Sequence, residues 1–172
     1  MESLIRSAVE TQYGAAFSML RGCIDRADDA SWVAVSAKYP FWQVGYHTLF
    51  ITDLYLAPNE KAFLPPAFHR AGYNDLGPTP WGPPTPIVVD QPYARETLLA
   101  YLEEIRAKAR QAVQGETDAV LSGPSGFSWL KFSRLELHLY NVRHIQHHVG
   151  QLVAVLRREH GKGTNWVISE PL

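Results

Sequence analysis

Eight of the chain's twelve prolines (Pro58, Pro65, Pro66, Pro78, Pro80, Pro83, Pro84 and Pro86) fall between Ala57 and Gln91, with Gly72, Gly77 and Gly82 among them. Proline lacks an amide donor and its ring clashes with the preceding helical turn, so no long regular element survives in that stretch. Long elements must therefore lie before Ala57 and after Gln91. A loop of this length inside a compact domain is expected to be functional or draped over the core, and Phe63, Phe68, Tyr73 and Trp81 give it apolar mass to pack.

Outside the proline block, four segments show apolar residues three and four apart rather than the alternation of strands. The first spans about Ser3 to Arg26 and carries Ile5, Val9, Ala16, Met19, Leu20, Cys23 and Ile24. The second is expected to open with Pro40 in its first turn and must stop before Pro58. The third opens near Pro92, runs through Leu98, Leu102, Ile105, Ala109 and Val113, and ends near Gly115. The fourth starts at Ser133, where Ser133 and Glu136 form a capping-box pattern, and continues to Gly161. Gly123-Pro124-Ser125-Gly126 reads as a turn. Four helices with one long excursion between the second and third predict an all-α, antiparallel four-helix bundle, one domain over residues 1–172.

Composition narrows the function classes. With 16 Lys and Arg against 17 Asp and Glu, there is no basic excess to neutralise nucleic-acid phosphates, so a nucleic-acid partner is not expected. The longest charge-free apolar stretch lies between Lys38 and Asp53, short of the roughly 20 residues a spanning helix needs, and no membrane partner is expected. No basic region followed by an apolar stretch opens the sequence, which leads us to expect a cytoplasmic protein. Cys23 is the one cysteine, so a thiolate zinc site is excluded and any metal must be held by nitrogen and oxygen. Gly-rich phosphate loops, a Gly-x-Ser-x-Gly elbow and His-Glu-x-x-His are all absent.

The histidines remain. Leu135, Val142, Ile145, Val149, Leu152 and Leu156 form a seam on the fourth helix, and His144 and His148 lie beside it at roughly 80–100° from its centre. Four residues apart, they place their Cβ atoms roughly 6 Å from each other, within reach of one metal. Each ring could equally make one core hydrogen bond. On the second helix, His47 sits in the middle of a stripe of Val44, Phe50, Ile51 and Leu54, where an unpartnered imidazole costs about 1–3 kcal/mol. A metal shared with His144 and His148 would meet that need and leave a coordination position open. Gln151 shares the ligand stripe and is expected to orient a ring or a substrate, or simply to mark the polar boundary. His147 is expected at the rim, with substrate contact as the alternative, and His138 in the core as a satisfied histidine. His69 and His160 are expected to be exposed.

The motifs Gly45-Tyr46-His47-Thr48-Leu49-Phe50 and Arg143-His144-Ile145-Gln146-His147-His148-Val149-Gly150-Gln151-Leu152 resemble the DinB/YfiT-like superfamily over nearly the whole chain. Arg143 and Val149 stand where that family commonly has Asn and Arg. The resemblance implies a four-helix bundle that binds a divalent ion, often nickel or zinc, with His47, His144 and His148 at the ligand positions. It also implies a small-molecule substrate, a low-molecular-weight thiol such as mycothiol, bacillithiol or glutathione in a transferase or isomerase reaction, and a homodimer. Metal-dependent hydrolysis is a further possibility. The Pro-rich loop is expected to wall the mouth of the bundle, with Trp81, Phe63 and Tyr73 as an apolar rim for a small molecule. A metal-binding or stress-responsive bundle without turnover is the alternative, and the catalytic residues are open.

Overall fold

Helix ends in this chain are set by side chains and prolines close in sequence. The computed structural model describes residues 2–36, 38–78, 82, 91–161 and 163–172. Along the chain these form α1 (Glu2–Arg26), α2 (Asp29–Val33), β1 (Val35–Ser36), β2 (Tyr39–Pro40), α3 (Phe41–Leu56), α4 (Arg95–Gly115), α5 (Asp118–Ser122) and α6 (Arg134–His160). The described residues are thus predominantly helical. No helix among them is long and apolar enough to cross a membrane.

Pro40 lies one residue earlier than expected. It ends the two-residue hairpin strand β2 and is the extended N-cap of α3, at ψ 154°, rather than its first helical residue. At the other end Ala57 is extended at ψ 153°, because the ring of Pro58 disfavours helical geometry in the residue before it. The third long helix begins at Arg95, not Pro92, after an extended Ala94. Ser133 and Glu136 make both bonds of the capping box, and Gly161 closes α6 in the left-handed conformation at φ 69°. The short helices α2 and α5 were too brief for periodicity to signal. They are capped by Asp28 and Thr117, whose side chains accept from the backbone amides of Ser31 and Val120.

Helices α1 and α3 each pack on both α4 and α6. Tyr13, Phe17, Leu20 and Ile24 of α1 meet Leu98, Leu102 and Ile105 of α4 and Leu137, Ile145, Leu152 and Leu156 of α6 in one core. Each such side chain contributes about 1.5–3 kcal/mol by leaving water. The C-terminal residues lie along α1: the Glu170 amide donates to the Thr11 carbonyl at 3.3 Å, and Glu170 pairs with Arg106 at 2.8 Å. A Cβ at Gly14 would stand 1.9 Å from the Glu170 carbonyl oxygen, so this crossing needs glycine.

Residues 57–78 form turns without a long regular element. Tyr73 is buried in the core instead of forming a rim, while Phe63 and Phe68 are half-buried against it. Trp81 lies outside the described residues.

Candidate metal centre

Direct packing of α3 on α6 brings His47 of α3 to His144 and His148 of α6, the nearer of which is 97 residues away in the chain. The ring centroids of His47 and His144 are 5.2 Å apart, those of His47 and His148 4.7 Å, and those of His144 and His148 4.6 Å. One nitrogen from each ring lies within 4.8 Å of the other two. The closest pair is His144 Nε2 and His47 Nε2 at 3.2 Å.

The surroundings differ from the helical-wheel expectation on both elements. Every residue of α3 except His47 is buried, so this helix has no solvent-facing side, and its one half-buried residue is the histidine. On α6, Ile145, Val149, Leu152 and Leu156 are buried as expected, but Leu135 and Val142 are only half-buried, and Arg134 and Asn141 share the buried face.

Two of the three imidazoles are oriented through their far nitrogens. His47 Nδ1–H donates to the Asn74 carbonyl at 2.6 Å, and His148 Nδ1–H donates to Gln151 Oε1 at 2.9 Å. Each bond places the ring proton on Nδ1 and leaves a lone pair on Nε2. Gln151 Nε2 in turn contacts Nε2 of the exposed His147 at 3.2 Å. His144 Nδ1 is buried without a hydrogen-bond partner among the described residues. Burial, first, and then the charges of the neighbouring imidazoles push His47 down to about 3 and His144 down to about 2. Burial also lowers His148, against the opposing bond from Gln151. All three rings are therefore neutral at neutral pH, the form that ligates metal.

This donor set fits a divalent ion. With the His47 proton committed to Asn74, its Nε2 lone pair faces His144 Nε2 at 3.2 Å, a separation that either a proton on His144 Nε2 or a cation between the two nitrogens satisfies. Two nitrogens each about 2.0–2.1 Å from one ion in tetrahedral geometry stand about 3.3 Å apart, close to this separation.

The remaining histidines have other partners. His138 is 1% exposed and bonds Tyr13 and Glu116, as expected for a satisfied core histidine. His160 is exposed and bonds the Ser31 hydroxyl at 2.8 Å. His69 is half-buried rather than exposed: Tyr46 bonds its Nδ1 at 2.7 Å and Phe50 stacks on its ring. Asn74 gave no signal in the sequence, because it acts through a backbone carbonyl that any residue could supply. Buried Asp53, paired with Lys108 and bonded to the Tyr101 hydroxyl at 2.7 Å, was likewise missed within an apolar helix.

A family model described as the DinB superfamily matches residues 12–152, a range that includes all three histidines. No curated protein and no solved structure matches the chain.

Proposed function

The chain belongs to the DinB superfamily, and from that premise we propose that His47, His144 and His148 hold one divalent metal ion in an enzyme acting on a small molecule. The observation that carries this reading is the cluster of three neutral imidazoles with one nitrogen each inside 4.8 Å. We read the four long helices as an antiparallel bundle of the DinB type forming one domain, with nickel or zinc as the native ion. The reaction is a transfer or isomerisation using a low-molecular-weight thiol, or a hydrolysis.

A divalent ion held there supplies Lewis acidity, which lowers the pKa of a thiol or a water and favours its anion, since three imidazoles bring no charge. The protein's own residues prepare the site. The Asn74 carbonyl and Gln151 Oε1 hold protons on the far nitrogens of His47 and His148, so that both Nε2 lone pairs point inward. Burial keeps the rings unprotonated, so a metal does not compete with protons at neutral pH.

Metal content by inductively coupled plasma mass spectrometry tests the reading, on the unaltered protein beside His47→Ala and His144→Ala. About one equivalent of a divalent ion, lost in both variants while they stay folded, is expected. Absence of metal after incubation with several divalent ions withdraws the proposal.

A further inference from the structure

A hollow of about 250 Å³ lies against α6 beside the histidine cluster, lined by Tyr140, Arg143, His144 and His147. Spacings of three, one and three residues put these four on one side of the helix. His144 is shared: its ring meets His47 and His148 in the cluster and also forms part of the wall of the hollow. Among the described residues, the two larger cavities take none of the three histidines into their walls. A volume of about 250 Å³ is below the roughly 300 Å³ at which sites for whole small molecules begin, so the hollow fits one end of a ligand.

Arg143 supplies the chemistry of that end. Its guanidinium lies over the Tyr140 ring, 5.2 Å from the ring centre. That ring is itself held in place, edge-on to Tyr55 of α3 at 5.6 Å and against Phe132 at 5.8 Å between centroids. Stacking on an aromatic face leaves the N–H edge of a guanidinium free and presents it as a planar fork. Arg143 is exposed and forms no ion pair among the described residues. Its helical neighbours three and four residues away are Leu139, Tyr140, Gln146 and His147, none of them acidic. Glu136, seven residues back, is held by Ser133 in the capping box. By contrast, Arg21, Arg106 and Arg134 each close on a carboxylate from elsewhere in the chain. A carboxylate entering the hollow therefore meets an unopposed cation of matching geometry, whereas an amine is repelled.

We propose that Arg143, laid on Tyr140, anchors a carboxylate of the small molecule handled at the histidine cluster, which makes the substrate an organic acid. The substrate role rests on the proposed metal enzyme; the carboxylate anchor does not.

The test titrates sodium propionate, propan-1-ol and propylammonium chloride into the full chain, with sodium chloride as the ionic-strength control. NMR of the backbone amides and the arginine Nε–H groups follows binding, on zinc-loaded and chelator-treated protein in parallel. Propionate is expected to move the Arg143 Nε–H and the amides from Tyr140 to His147 in both preparations. Its Kd should be roughly 10 mM without metal and about tenfold tighter with zinc bound. The alcohol and the amine should leave these signals unmoved. Arg143→Gln should weaken propionate about tenfold, and Arg143→Lys, which keeps the charge but loses the fork, should recover only part of that loss. Thermal melts confirm that the variants are folded. No propionate shift at Arg143 up to roughly 100 mM, an equal response to chloride, or a loss in Arg143→Gln within about threefold overturns the anchor, even where metal is bound. A propionate affinity indifferent to bound zinc overturns the substrate role. Absence of metal with the Arg143 response intact withdraws the metal enzyme and leaves the carboxylate anchor standing.

Discussion

Helix α6 carries two groups of buried imidazoles that differ in how much bonding capacity they leave unused. At its N-terminal end His138 is closed on both sides: Tyr13 contacts Nδ1 at 3.2 Å and Glu116 meets Nε2 at 2.9 Å. The other oxygen of Glu116 accepts from Arg134 Nε at 2.8 Å, and Arg134 donates onward to the carbonyls of Tyr55, Leu56 and Ala57 at the end of α3. Burial alone would raise Glu116, but its bonds to His138 and Arg134 and their charges outweigh that and hold its carboxyl below the usual range. Two turns further on, His144 and His148 meet His47, the Nε2 lone pairs of His47 and His148 are not used by a far-side bond, and His144 Nδ1 is buried without a partner among the described residues. Burial is shared by both groups, so burial does not make a site. Unused lone pairs do, and the first group spends its polar capacity on tying α6 to the end of α3.

Substitutions should separate the two groups. Arg134→Met leaves Glu116 and three helix-end carbonyls without their partner, and is expected to cost about 3–5 kcal/mol in urea denaturation. Metal bound per folded molecule should stay unchanged; a parallel loss of metal would mean that the two groups are not independent.

The pH dependence of the chelator-treated protein should come from the open group. His47 and His144 sit far below the ordinary 6.5 when folded, so below that pH the unfolded chain takes up protons that the folded chain refuses. Stability is therefore fully present above about pH 6.5 and falls as pH drops toward about 3, by up to about 1.4 kcal/mol per pH unit for each histidine. Chemical denaturation across this window should show the slope, and the double variant His47→Ala/His144→Ala should reduce it, leaving the shares of His148 and, toward the acid end, of Glu116.

Gln151→Ala removes the bond that orients His148 while leaving the core intact. Competition titration with a chromophoric chelator should then show metal affinity reduced about 10–100-fold with an unchanged melting temperature. His147→Ala touches only the exposed end of the same chain of bonds. Its effect on affinity should stay within about threefold, and a loss as large as that of Gln151→Ala would place His147 among the ligands.

Several features could be read directly because their causes are local. Ser133 and Glu136 cap α6 across one turn, Pro58 imposes an extended Ala57, and His144 and His148 share a face because four residues make about one helical turn. The wheel placed Ile145, Val149, Leu152 and Leu156 on the buried face of α6 correctly, but Leu135 and Val142 are only half-buried, because the first turns bury Arg134 and Asn141 through bonds to distant partners, which an apolar pattern does not signal. Asn74 and the enclosure of α3 escaped for the same reason, since a backbone carbonyl and the crowding around a helix leave no residue-type signature.

The sequence alone determined where helices can exist and which side chains could ligate a metal, because proline geometry, capping and helical spacing act within a few residues. Only the tertiary structure decided that His47 meets His144 and His148 and that Asn74 sets the tautomer of His47. These depend on how elements far apart in the chain pack, and packing is decided by the whole core at once.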